Sequence, residues 1–136
     1  RGSTEDFGFL YDLHDGDAIY ERVRRYCPTL ILTDGARPIR FYTPEGCESY
    51  PVEPIETVST VGAGDNFNAG YIYAKIAIEN GKWKIENSTS APNNSQFSTL
   101  NSQLVKMAQK WSQDVCRQLV NNISDELVKT LKKQAL

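Results

Sequence analysis

Gly62, Ala63, Gly64 and Asp65 stand together immediately before an apolar run with helical spacing. Small residues at the start of a helix let backbone N–H groups face a cavity. A helix N-terminus carries about half a positive elementary charge and unpaired N–H donors, so it suits an anion, and above all a phosphoryl group whose charge develops during transfer. Asp65 adds a proton acceptor beside this anion hole. A tight turn capped by Asp65 would explain the same residues structurally. Two glycines in one turn are costly, however, unless the backbone needs room, and Gly64 is expected to need a positive φ. The segment has neither the Lys-Ser/Thr ending of a P-loop nor the third glycine of a dinucleotide fingerprint.

The elements that must position this loop can be read on both sides of it. Ser3 or Thr4, followed by Glu5-Asp6, offers a cap and first-turn acids for a short helix bearing Phe7, Leu10 and Tyr11. A second helix follows Asp15, with Ile19, Val23, Tyr26 and Cys27 at helical spacing and Pro28 as its stop. Thr29 to Thr33 reads as a parallel strand covered on both faces and closed by the turn Asp34-Gly35. Ile39–Thr43 and Glu48–Val52, joined by Pro44-Glu45-Gly46, read as an edge hairpin or a pair of sheet-margin strands.

Behind the glycine loop, Phe67, Tyr71, Ala74 and Ile78 make one helical stripe, and Ala69 and Gly70 permit close approach. The polar stretch Asn80 to Asn101 reads as a long solvated loop. Leu104, Ala108, Trp111, Val115, Leu119 and Ile123 form a further stripe, with Trp111 as core, and Ser124-Asp125-Glu126 starts a terminal helix through Leu127, Val128 and Leu131. Helices alternating with a buried strand give an α/β class.

Ser59-Thr60-Val61-Gly62-Ala63-Gly64-Asp65-Asn66-Phe67-Asn68-Ala69-Gly70 resembles the second signature of the ribokinase (PfkB) carbohydrate kinases, Asp-Thr-x-Gly-Ala-Gly-Asp-x-Phe-x-x-Gly, at every fixed position except the first. The resemblance implies a ribokinase-like three-layer fold, with a mostly parallel sheet flanked by helices. It also implies an ATP-dependent kinase acting on a sugar or sugar-acid hydroxyl. Asp65 would be the general base and Gly62, Ala63 and Gly64 the anion hole. Thr33-Asp34-Gly35 resembles the family's Thr-x-Gly turn, which places Thr33, Gly35 and Val61 beside the nucleotide. Ser3-Thr4-Glu5-Asp6 resembles its Asn/Ser-x-x-Glu element, which orders Mg2+ through water. Glu5 or Asp6 would serve there, and a plain helix cap is the other reading. Ser59 replaces the Asp that helps to hold a monovalent cation, so potassium binding should be weak.

The resemblance covers roughly Arg1 to Ile78 and implies a chain about twice as long. Residues 1–136 are therefore expected to be the C-terminal, nucleotide-binding portion of a single kinase domain, without the substrate half and lid, and to be inactive alone. Such a piece leaves a sheet edge uncovered, so self-association is expected, with a homodimer as its simplest form. The competing class is a non-catalytic or regulatory nucleotide-binding module.

A formal charge of −2 gives no electrostatic case for a nucleic-acid partner, and no apolar run is long enough to span a bilayer. The partner is expected to be a small sugar in a cytoplasmic setting. Cys27, Cys47 and Cys116 are odd in number and far apart, and are read as reduced, packed thiols. Asn-x-Ser/Thr triplets begin at Asn87, Asn93 and Asn122 and carry little weight. His14 is the only histidine and there is no Gly-x-Ser-x-Gly elbow, which argues against acyl transfer.

Overall fold

The computed structural model describes residues 1–84, 94–119 and 122–134. They form two compact units, Arg1–Pro54 and Ile55–Leu136. The first contains β1 (Gly2–Ser3), α1 (Thr4–Tyr11), α2 (Gly16–Val23), β2 (Leu30–Asp34), β3 (Arg37–Thr43) and β4 (Gly46–Tyr50). The second contains α3 (Ala63–Glu79), α4 (Asn94–Cys116) and α5 (Asp125–Gln134). The α/β class stands.

The first unit is a four-stranded sheet in the order β1-β2-β3-β4. β2 runs parallel to β1, as expected of a buried strand, whereas β2–β3 and β3–β4 are antiparallel, so the sheet is mixed. Its two hairpins explain this. Gly35 adopts φ 55° in the first turn, a left-handed conformation that suits glycine, and the second closes where Thr43 pairs with Gly46. β3 begins two residues before the expected Ile39, and β4 ends at Tyr50 rather than Val52.

One face of this sheet is built around Ile19, Leu30, Leu32 and Tyr42, with Phe7, Leu13, Tyr20 and Val23 packed at its margin. Burying a side chain such as Ile19 contributes about 1.5–3 kcal/mol. Asp15 caps α2 by accepting from the amides of Asp17 and Ala18. The helix stops at Val23, before the expected Tyr26 and Cys27, both of which are exposed. Leu10 and Tyr11 on α1 are likewise exposed, and of the expected stripe only Phe7 joins the core. Cys27 and Cys47 are free and exposed, contrary to the expectation of packed thiols; only Cys116 is buried.

Tyr42 joins this core to a polar margin. Its hydroxyl donates to Asp17 Oδ1 at 2.8 Å and accepts from Arg40 Nη1 at 3.0 Å. A Cβ on Gly16 would lie 2.5 Å from that hydroxyl, so a glycine is required where α2 begins.

In the second unit the buried positions of α3 are Phe67, Gly70, Ala74 and Ala77, a stripe rotated slightly from the expected Phe67, Tyr71, Ala74 and Ile78. The rotation follows from Gly70. A Cβ there would lie 2.8 Å from Trp111 Cγ and 3.0 Å from the Met107 carbonyl, so α3 and α4 meet at a glycine. Trp111 lies in this contact, 5.5 Å from the Tyr73 ring. The expected loop from Asn80 to Asn101 is corrected, because α4 begins at Asn94. Burial of Leu104, Val105 and Ala108 on one face supplies what the Asn- and Ser-rich start of the helix lacks in propensity. The rest of that stretch, residues 85–93, lies outside the described residues, as do the triplets at Asn87 and Asn93. Leu119, expected to extend the stripe, lies beyond the helix and is 86% exposed. Ser124 accepts from the Leu127 amide and opens α5, which buries Leu127 and Leu131.

Two outcomes test this packing. Gly70→Val should cost about 1–3 kcal/mol through overcrowding against Trp111, read as a lower urea midpoint; an unchanged midpoint would refute the contact. Burial pushes the Tyr42 phenol up to about 12, whereas an unfolded tyrosine titrates near 10. The folded pKa is the higher one, so this stabilisation is complete below about pH 10 and is lost as pH rises towards about 12. Tyr42→Phe should therefore lose stability less steeply than wild type over that window, and equal slopes would count against the burial of this hydroxyl.

Candidate functional site

The glycine loop is held by the main chain on both sides. The amides of Val58 and Ser59 donate to the Cys116 carbonyl at 2.8 and 3.1 Å, which ties the approach to the end of α4. That carbonyl is one of the last four that a helix leaves without an internal donor. Ser59 Oγ then accepts from the Val61 amide at 3.2 Å, and the Ala63 amide donates to the Thr60 carbonyl at 3.1 Å. Val61 is 71% exposed.

Gly62 is the N-cap of α3 at φ 78°, so the left-handed residue is Gly62 and not the expected Gly64. Gly64 is already helical. It is not among the glycines of positive φ. Asn66 donates to the Gly62 carbonyl through both its amide, at 2.9 Å, and its side chain, at 3.0 Å, and so clamps the turn. Among the described residues the amides of Gly64 and Asp65 meet no acceptor, and the exposed Asp65 carboxylate meets neither donor nor cation. The geometry thus puts unpaired N–H groups, the positive end of a 17-residue helix and a free carboxylate at one place.

In the first unit the structure joins two segments that lie far apart in sequence. Ser3 is in register with Thr33, the Thr4 hydroxyl donates to Asp34 Oδ1 at 2.6 Å, and Arg1 reaches the Thr33 hydroxyl at 3.0 Å. The start of α1, with Glu5 and Asp6, therefore lies beside the turn that holds Thr33 and Gly35. Asp34 also pairs with Arg37 at 3.1 Å. Thr4, Asp34 and Arg37 border a cavity of about 340 Å³.

Sequence reasoning did not find the Thr4–Asp34 link. Thr4 was visible only as a possible cap, a position that Ser3 takes. Ser3 and Asp6 form a reciprocal capping box, in which the Asp6 amide donates to Ser3 Oγ and the Ser3 amide donates to Asp6 Oδ2, each at 3.1 Å. Those bonds hold the Asp6 carboxyl below its usual range, the Ser3 hydroxyl contributing most. Glu5 is exposed and uncommitted. No group of three or more His, Cys, Asp or Glu side chains gathers among the described residues. Mg2+ characteristically takes one or two carboxylates and keeps several waters. Glu5 fits that description, whereas Asp6 is engaged in the cap.

Residues 6–96 match the pfkB family carbohydrate kinase profile. An adenosine kinase of Saccharomyces cerevisiae is 32% identical over 82 residues, covering 51% of this chain and 24% of that protein. Among solved structures, the adenosine kinase of Sinorhizobium meliloti aligns over 97% of this chain and 35% of its own, at 16% identity and a TM-score of 0.69. The aminoimidazole riboside kinase of Salmonella enterica, solved with aminoimidazole riboside and an ATP analogue, aligns over 95% of this chain and 40% of its own, at 20% identity and a TM-score of 0.66. These likenesses establish the fold. The chain spans about a quarter of the curated relative's length. Among the described residues no helix is long and apolar enough to cross a membrane.

Proposed function

The chain belongs to the pfkB family of carbohydrate kinases, and from that premise we propose that it is the nucleotide-handling part of an enzyme that transfers the ATP γ-phosphoryl group to a hydroxyl of a sugar or sugar acid. The observation that carries this reading is the opening of α3, where unpaired amides of Gly64 and Asp65 stand next to an unengaged Asp65 carboxylate. Phosphoryl transfer asks for in-line positioning and for stabilisation of charge on the moving group. The loop amides, with the helix behind them, provide the second requirement without reorganising.

Asp65 accepts the proton of the attacking hydroxyl, since its exposed carboxylate is engaged by no donor or cation among the described residues and so is available as a base. Gly62 sets the direction of the amides through its left-handed φ, and the Asn66 clamp keeps it there. Thr33, Gly35 and Val61 are assigned to the nucleotide's border through their places in the family motifs, and Glu5 to the waters around Mg2+. When bound, that ion would supply neutralisation of phosphate charge. Ser59 brings no charge to the loop and uses its hydroxyl to hold the Val61 amide, which supports the reading that monovalent-cation binding is weak. A nucleoside's ribose hydroxyl is a second candidate acceptor, favoured by the 32% identity to the yeast adenosine kinase.

Asp65→Asn in the full-length polypeptide should lower turnover by about 10² to 10⁴ while leaving ATP affinity near wild type. Loss below about threefold in a coupled ADP-release assay over hexoses, pentoses, sugar acids and adenosine would reject Asp65 as the base. Gly62→Val should weaken ATP–Mg2+ binding, because a β-branched residue resists the left-handed conformation at a cost of about 1–3 kcal/mol. Calorimetry showing unchanged ATP–Mg2+ affinity in a folded Gly62→Val protein would remove the loop from the nucleotide site.

A further inference from the structure

At the far end of α3, roughly 25 Å along the helix from the glycine loop, a second cavity opens within the Ile55–Leu136 unit. Its volume is about 450 Å³, within the range of small-ligand pockets. Gly81, at φ 68°, turns the chain back on itself, and the amides of Lys82 and Trp83 both donate to the Ala77 carbonyl, at 2.9 and 3.1 Å. This return places Trp83 in the cavity wall, edge-on to Tyr73 at 5.6 Å. Ile78 and Met107 complete an apolar surface beside it.

Among the described residues the charge around this cavity has one sign: Lys82, Lys84, Lys106 and Lys110 line it, no carboxylate does, and none of the four has an acidic partner. Lys75, on the same helix as Ile78, does pair with Glu79. Lys106 and Lys110 are four apart on α4, a spacing at which like charges destabilise a helix. In addition, Trp83 Nε1 and Gln103 Oε1, on two lining residues, are buried and have no hydrogen-bond partner among the described residues. An anion answers the lysines. A planar heterocycle answers the apolar wall made by the Trp83 indole, Ile78 and Met107.

We propose that this cavity is a second binding site, separate from the glycine loop, for a small phosphorylated heterocycle of the nucleoside monophosphate class. The phosphate lies among Lys82, Lys84, Lys106 and Lys110, and the ring lies along Trp83 and Met107.

The test is calorimetric titration of the polypeptide with AMP, with orthophosphate and a short single-stranded RNA as comparators. The wild type, Lys106→Gln/Lys110→Gln and Gly62→Val are compared. Both lysines are exposed, so the double variant should fold. The expected result is that wild type and Gly62→Val bind AMP alike, that the lysine variant binds it at least about tenfold more weakly, or about 1.4 kcal/mol, and that orthophosphate binds far less well than AMP. Absence of AMP binding up to about 10 mM overturns the proposal, since affinity weaker than that is not specific recognition. Binding lost in Gly62→Val but kept in the lysine variant also overturns it, because it puts AMP at the glycine loop alone. Orthophosphate binding equal to that of AMP removes the ring from the site. RNA that binds more tightly than AMP through the same lysines makes the surface a polyanion patch.

Discussion

The α3–α4 unit depends on one close approach, the contact at Gly70. With no side chain at that position, the backbone of α3 comes within reach of Trp111 and of the Met107 carbonyl. Helix packing at this separation fixes the rotation of α3 about its own axis, and that rotation in turn decides which way the first-turn amides face. The same contact orders the aromatic group of Tyr73, Trp83 and Trp111. The candidate anion hole at one end of α3 and the basic cavity at the other are therefore held by a single helix whose orientation is set near its middle.

Helix and strand identities were legible where one periodicity dominates. Leu30-Ile31-Leu32 lacks any polar alternation and forms a buried strand, and Leu127 and Leu131 keep a four-residue spacing that packs one face of α5. Boundaries were less legible, because tertiary contact overrides local preference. Tyr26 and Cys27 continue a helical pattern but gain no burial from it, both being exposed, and α2 ends before them. The Asn- and Ser-rich stretch from Asn94 has weak intrinsic preference, and only the buried face further along α4 makes it helical. The antiparallel pairing of β3 could not be separated in advance from a sheet-margin strand, since both need only a short turn and alternating residues.

The glycine loop was the most legible part of the candidate site, as its turn and the start of α3 are encoded by the same consecutive residues. The single misplacement, positive φ at Gly64 instead of Gly62, arose because either glycine can adopt it and only the hydrogen bonds decide. The first unit was less legible. The approach of Thr4 to Asp34 depends on a parallel pairing between Gly2–Ser3 and Leu32–Thr33, and two residues are too few to announce a strand. Asp6 shows a general ambiguity of acids in a first helical turn. The same residue type caps a helix or helps to order a cation, and here its hydrogen bonds with Ser3 assign it to the cap.

The double acceptance at the Cys116 carbonyl bears on how this protein can vary over evolutionary time. The grip between the end of α4 and the strand of chain leading to Gly62 is made by backbone atoms alone, two amides and one carbonyl. Such a grip has no side-chain identity to preserve. Residues near that helix end, and Val58, can drift in type without releasing this grip, provided that α4 keeps its length. A one-residue insertion or deletion in α4 turns its last carbonyls by about 100°, and would loosen the loop where many substitutions would not. Lineages of this chain should therefore tolerate exchange of residues around Cys116 far better than changes in their number.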